Sequence, residues 1–186
     1  MKKDFRTIQV LAISGSLRTA SSNTALLRAA AMLAPESVEI SLYTDLGDLP
    51  HFNPDLEGTE PLSVRDFWAK VQASDGILIS SPEYGHGVPG VMKNALDWLV
   101  GGEEFIGKPV ALLNASPRAT HVQASLIETI TVMSGRIISE ASITVPLLGK
   151  SLDEAGIVSH PEIASLLQTA ILEFARAIES YAEVAE

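Results

Sequence analysis

Ser81-Pro-Glu-Tyr-Gly-His-Gly-Val-Pro-Gly-Val-Met-Lys-Asn-Ala-Leu-Asp-Trp98 is the stretch that decides the fold. It follows a short apolar run, Gly76-Ile-Leu-Ile-Ser80, that reads as a buried strand, and it leads into an amphipathic helix. Pro82, Gly85, Gly87, Pro89 and Gly90 make a stiff, tightly turned loop at the carboxyl end of that strand. Open α/β sheets bind their ligands at such loops. Gly85, Gly87 and Gly90 also match the G-x-G-x-x-G pattern of dinucleotide sites. That pattern belongs in the first βα turn, with an acidic residue closing the next strand about 20 positions later. Here it falls in the third strand–helix unit, and Lys108-Pro109 beyond it opens a strand rather than ending one. The match is incidental. Pro89 reads instead as the first helical residue, where a missing N–H costs nothing.

Outward from this loop, strand-like and helix-like segments alternate along the chain. Strands are expected at Thr7–Ile13, Val38–Tyr43, Gly76–Ser81, Val110–Asn114 and Arg136–Ser139, the last with an extension through Ile143–Leu147. Helices are expected at about Asn23–Ala34, Leu62–Ala73, Pro89–Leu99 and Ala119–Met133, followed by a long final helix. Ser159 and Glu162 stand in capping-box spacing ahead of that helix, and Ile163, Leu167, Ile171, Phe174, Ile178 and Tyr181 form its apolar stripe. The loop through Pro50, Pro54, Gly58 and Pro61 is longer than an ordinary connection, which points to a functional or interface role. Strict alternation fits an α/β domain covering residues 1–186, a flavodoxin-like three-layer sandwich with a five-stranded parallel sheet in the order 2-1-3-4-5.

The chain has 186 residues, enough for one well-formed core, with 46% hydrophobic and 19% charged residues. A net charge of −10 with scattered Lys and Arg argues against nucleic-acid binding. The absence of cysteine removes disulfides, thiol nucleophiles and cysteine metal sites, and fits a cytoplasmic protein. Met1-Lys-Lys-Asp-Phe-Arg6 has a basic look, but the apolar run after it is only strand-length, so no signal peptide is expected. No membrane span is expected either.

The sheet order brings the loops after strands one, three and four together at one edge. The first, Ser14-Gly-Ser-Leu-Arg-Thr-Ala-Ser-Ser-Asn-Thr24, gathers hydroxyls, an amide and the Arg18 guanidinium ahead of a helix start. Free N–H groups, the macrodipole and these donors suit a phosphate monoester. The alternative is a hydrophilic turn in which Ser22 caps the helix. There is no G-x-x-x-x-G-K, which excludes a triphosphate loop. The third-strand loop offers Glu83, Tyr84 and His86 but no convincing nucleophile or base, and Gly85 and Gly87 permit close approach of something flat. A phosphate tail with a planar ring describes flavin mononucleotide (FMN). The histidines, His51, His86, His121 and His160, show no ligand spacing.

These loops resemble those of the NADPH-dependent FMN reductase family, which includes quinone, azo-dye and chromate reductases. Gly15-Ser-Leu-Arg18 with Ser21 and Asn23 is similar to the family's phosphate loop, and Leu49-Pro-His-Phe-Asn-Pro-Asp-Leu-Glu57 to its long second loop. Ser81-Pro-Glu-Tyr84 through Pro89-Gly90, Lys93-Asn94 and Asp97-Trp98 matches its most specific signature. The resemblance implies that Ser16, Arg18, Ser21, Ser22 and Asn23 hold the FMN phosphate. It implies that Pro82, Glu83, Tyr84 and Gly85 flank the ring, largely by main chain, with Ser116 at its other edge. It also implies NADPH or NADH as co-substrate, a small-molecule electron acceptor, and a homodimer or homotetramer with the long loop and Lys93–Trp98 near the interface. Lys93, Asn94 and Asp97 are then structural. Two positions depart from the pattern. Gly87 replaces a common serine, and Arg118-Ala-Thr-His121 replaces a glycine-rich turn. Arg118 would lie near the flavin's pyrimidine end and stabilise negative charge there, or else be a surface residue at a helix start. Two other functions compete: a flavodoxin-type FMN electron carrier that does not turn over NAD(P)H, and a phosphate-ligand sensor without catalysis.

Overall fold

The computed structural model describes residues 6–147 and 149–185, so the expectation drawn from Met1–Phe5 lies outside the described residues. The strands are β1 (Ile8–Ser14), β2 (Val38–Tyr43), β3 (Gly76–Ser80), β4 (Pro109–Asn114), β5 (Arg136–Ile137) and β6 (Ile143–Thr144). The helices are α1 (Ser22–Leu33), α2 (Leu62–Ala73), α3 (Gly90–Val100), α4 (Thr120–Val132), α5 (Glu154–Val158) and α6 (Pro161–Ala185). Every strand pair is parallel, and the order is β2-β1-β3-β4-β5, with β6 also on β4.

The expected fifth strand exists, but in two pieces. β5 pairs with Pro109 and Val110, β6 pairs with Leu113 and Asn114, and a 3-10 turn at Ser139–Ala141 separates them. Ser142 bridges the gap. Its Oγ accepts from the Leu112 N–H at 3.1 Å and donates to the Ile138 carbonyl at 2.8 Å, so the β4 ladder has no unsatisfied donor at the break.

Side-chain alternation along each strand divides the core into two layers. Val10, Ala12, Leu78, Ala111 and Leu113 face α1 and α6, which contribute Leu26, Ala30, Leu167, Ile171 and Phe174. Leu11, Ile13, Ile77, Ile79, Val110 and Leu112 face α2, α3 and α4, which contribute Phe67, Val71, Met92, Leu96, Leu126 and Ile130. A sheet covered on both faces needs apolar residues at every position, so its central strands read as unbroken runs. Gly76 owes its identity to this packing: a Cβ there would meet Phe174 Cζ at 2.8 Å and Ile178 Cδ1 at 2.7 Å.

Three local expectations need correction. Pro89 is the N-cap of α3, extended at φ −55° and ψ 143°, rather than its first helical residue. Ser159 does not cap α6; it closes α5, its Oγ donating to the Ala155 carbonyl at 2.8 Å. The α6 ladder opens instead with the Ala164 N–H on the His160 carbonyl. Helix α5 was not expected, being too short for periodicity to announce it.

Candidate functional site

Because α1 leaves β1 toward one face and α3 leaves β3 toward the other, the loops after these neighbouring strands diverge and open a crevice at their carboxyl ends. The two loops are tied at the base. The Gly15 N–H donates to the Ser80 carbonyl at 2.9 Å, and the buried Ser80 Oγ donates to Asn23 Oδ1 at 3.0 Å. Gly15 has no room for a side chain, since a Cβ would lie 2.3 Å from Ser81 Oγ and 2.9 Å from Ser81 Cβ.

Helix α1 is capped by Ser21, not Ser22: the Ser21 Oγ accepts from the Thr24 N–H at 3.3 Å, and its carbonyl accepts from Ala25. This leaves the N–H groups of Ser22 and Asn23 without a partner among the described residues. Asn23 is buried, its carbonyl oxygen held by Ser80, so its NH2 remains available to donate. Ser16 is half-buried, and its Oγ accepts from the Arg18 N–H at 3.3 Å; the Arg18 side chain is exposed and makes no ion pair among the described residues. An anion at this helix start would meet free N–H groups, an amide donor and a nearby guanidinium.

The third-strand loop is a two-residue hairpin. Tyr84 and Gly87 exchange backbone bonds of 3.2 and 3.1 Å, and the central residues Gly85 and His86 have φ of 57° and 59°. Two successive positive φ values make this a type I′ turn, whose corners favour glycine, asparagine and aspartate. Nothing lies within 4 Å of the side-chain direction of Gly85, so the turn presents bare backbone.

Glu83 ties this loop to the next one. Its Oε2 accepts from the Val122 N–H at 3.0 Å, in the first turn of α4, and that bond holds its carboxyl below the usual range, with smaller help from the His121 backbone and the two neighbouring imidazoles. Sequence reasoning left this cap unseen. The loop after β4 is shaped by Asn114, whose Oδ1 accepts from the Ser116 N–H at 3.1 Å while its NH2 reaches Thr144 Oγ1 at 3.3 Å.

A cavity of about 380 Å³ lies between the three loops, within the range of small-molecule sites. Ser22, Asn23, Pro82, Glu83, Ser116 and Arg118 line it, with Ser81, Asn114, Ala115 and Ala119. Ser21 and Arg18 line a neighbouring hollow of about 400 Å³ on the far side of the first loop, which Ser22 joins to the cavity. Ser16 faces a third hollow with Arg18 and Tyr43. Tyr84 and Gly85 stand exposed beyond the cavity rim. One further pairing escaped the sequence reading: His86 on the hairpin turn and His121 in the first turn of α4 meet edge to face with ring centroids 4.3 Å apart.

The remaining polar residues of the signature stretch brace the long second loop. Asn94 Oδ1 accepts from the Phe52 N–H at 2.8 Å, its NH2 donates to the Pro50 carbonyl at 3.0 Å, and Trp98 Nε1 donates to the same carbonyl at 2.8 Å. Lys93 pairs with Asp97 one turn along α3. No residue of this set reaches the cavity lining.

The chain is similar to known flavin-dependent reductases. An NAD(P)H-dependent FMN reductase of Pseudomonas aeruginosa is 32% identical over 167 residues, covering 87% of this chain and 90% of that protein. A quinone reductase of Escherichia coli K12 is 34% identical over 113 residues, a match spanning 60% of its length. The solved structure of FerB, a flavoenzyme NAD(P)H:(acceptor) oxidoreductase from Paracoccus denitrificans, superposes with a TM-score of 0.84 at 31% identity, covering 94% of this chain and 98% of that one. The family model for NADPH-dependent FMN reductase matches residues 8–146, the span that contains all three loops and the crevice between them, and the chain belongs to that family.

Proposed function

We propose that the protein is an NAD(P)H-dependent oxidoreductase that holds FMN across the three loops and passes electrons to a small-molecule acceptor such as a quinone. The observation that carries this reading is the crevice itself. N–H groups of Ser22 and Asn23 that have no partner among the described residues, with the Asn23 amide and Arg18 nearby, form an anion-binding end, and a bare-backbone turn at Tyr84–Gly87 stands beside it. That donor set fits a phosphate monoester joined to a planar ring. FMN, when bound, supplies the hydride-accepting and electron-donating chemistry. The chain's own residues bind and orient: Ser16, Arg18, Ser21, Ser22 and Asn23 serve the phosphate, Pro82–Gly85 the ring, and Ser116 with Arg118 the opposite rim. Hydride transfer depends on alignment more than on acid–base groups, and Glu83, the one carboxylate on the cavity, is committed to α4.

An apolar hollow of about 260 Å³ between Phe52, Pro54, Trp68, Trp98 and Val100 supports self-association through the long second loop and α3, as a homodimer or homotetramer. Among the described residues no helix is long and apolar enough to cross a membrane, and use of reduced nicotinamide fits a cytoplasmic enzyme. The test is NADPH and NADH oxidation by the FMN-loaded protein with a quinone acceptor. Turnover with either supports the reading. A yellow protein that oxidises neither is instead an electron carrier, and one that takes up no FMN overturns the flavin assignment.

A further inference from the structure

Glu83 and His86 come from the third-strand loop and His121 from the first turn of α4, yet each offers a ligand atom within 4.8 Å of the other two. We infer that these residues form a surface site for one divalent first-row transition-metal ion, of the zinc, cobalt or nickel type. Two imidazoles and a carboxylate are the donor set such ions prefer, whereas calcium and magnesium favour all-oxygen sites.

The site is partly built. Glu83 Oε2 is anchored by the Val122 N–H, which leaves Oε1 facing His86 Nδ1 at 3.7 Å. His86 is placed by the type I′ turn, in a left-handed conformation (φ 59°) that histidine adopts more readily than most non-glycine residues. His121 approaches from the first turn of α4, and the two rings stand at 74° to each other instead of stacking flat. Tetrahedral bonds of about 2.1 Å would set the ligand atoms roughly 3.4 Å apart. Closing from the present spacing takes about an ångström of side-chain rotation, and the His86 side chain is 76% exposed and free to make it. Three protein ligands leave a fourth position for water or an incoming oxygen ligand. Bound there, an ion would cross-link the hairpin turn to α4 beside the cavity that Glu83 lines. The inference concerns these three side chains and does not rest on the flavin reading.

The test is a calorimetric titration of the full-length, chelator-treated protein with zinc chloride, repeated with cobalt chloride to read the visible bands of bound cobalt. The expected result is one ion per chain, binding with or without added FMN. His86→Ala and His121→Ala should each weaken binding about tenfold or more, while His51→Ala and His160→Ala leave it unchanged. Both targeted imidazoles are exposed, so the variants should fold; thermal melts check this, and added zinc should raise the melting temperature of the parent protein but not of these variants. No binding, equal binding by the His86→Ala and His121→Ala variants, or loss in the His51→Ala variant instead would each overturn the assignment.

Discussion

Gly15→Ala is the most searching perturbation of the crevice, because it adds one methyl group at the seam between two loops. Gly15 does not have a positive φ, so alanine is compatible with its backbone and only the contact matters. The new Cβ would lie 2.9 Å from Ser81 Cβ and 3.2 Å from Ser81 Cα, where ordinary contact begins near 3.4 Å. Rotating Ser81 Oγ away relieves the 2.3 Å contact but gives up its 3.2 Å bond to the Pro82 carbonyl, and leaves the carbon contacts in place. The loops must part by about half an ångström. Overpacking of this kind costs about 1–3 kcal/mol, which lowers the melting temperature by roughly 3–10 °C in a chain of this size. The same displacement moves the phosphate donors relative to the Pro82–Gly85 shelf. Loss of one charge-assisted hydrogen bond, about 1.5–3 kcal/mol, weakens FMN binding about 10- to 100-fold. Quenching of FMN fluorescence by the apoprotein measures this directly. Adding Ser81→Gly removes both the Oγ and Cβ contacts and should recover most of the affinity. Wild-type affinity in Gly15→Ala, or no recovery in the double variant when Ser81→Gly alone binds normally, refutes the seam as the determinant.

Asn94→Ala removes the acceptor of the Phe52 N–H and a donor to the Pro50 carbonyl, so it should cost about 1–3 kcal/mol and speed amide exchange in residues 49–53 while leaving FMN affinity within about twofold. Glu83 has its folded pKa depressed by the Val122 N–H, so its contribution is present above the ordinary carboxylate pKa and lost as pH falls through the folded value. Melts of the parent chain should therefore lose more stability between pH 6 and pH 3 than those of Glu83→Gln; parallel curves would contradict this assignment. Arg118 is exposed on the cavity rim, where a positive charge is worth about 1 kcal/mol toward developing negative charge. Arg118→Ala should then lower the midpoint potential of bound FMN by ~20 mV, by the two-electron conversion of 30 mV per 1.4 kcal/mol; an unchanged potential makes Arg118 a surface residue only.

The layered fold was legible because burial on both faces writes itself into composition. Val38–Tyr43 and Leu62–Ala73 lie where alternation and helical spacing put them, and the loops after β1, β3 and β4 converge as the strand order requires. Local hydrogen-bond choices were less legible. Ser21 and Ser22 are adjacent residues of equal capping propensity, and the extended backbone of Ser21 (ψ 123°) with its Oγ bond to Thr24 decides between them. The Ser159–Glu162 spacing imitates a capping box, but α5 ends there and claims the serine. Contacts between loops were hidden altogether. His86 and His121 share no sequence spacing, and the only available signal was that the loop carrying His86 and the loop leading into the helix of His121 were assigned to one sheet edge. Glu83 likewise read only as a residue flanking the ring, because the partner of its carboxylate, a backbone N–H, leaves no mark on a sequence.

The break between β5 and β6 has a consequence for how copies of this chain behave at high concentration. A parallel sheet ends in strands whose outer N–H and C=O groups can recruit a foreign strand, and a straight outer strand is the usual seed of sheet-to-sheet aggregation. Here that outer edge consists of two-residue pieces displaced by the turn at Ser139–Ala141, so no incoming strand finds more than a few aligned groups. The serine that completes the inner ladder thus lets this edge stay broken, which leaves β2, the unbroken strand Val38–Tyr43 at the opposite edge, as the one an incoming strand could pair with at length.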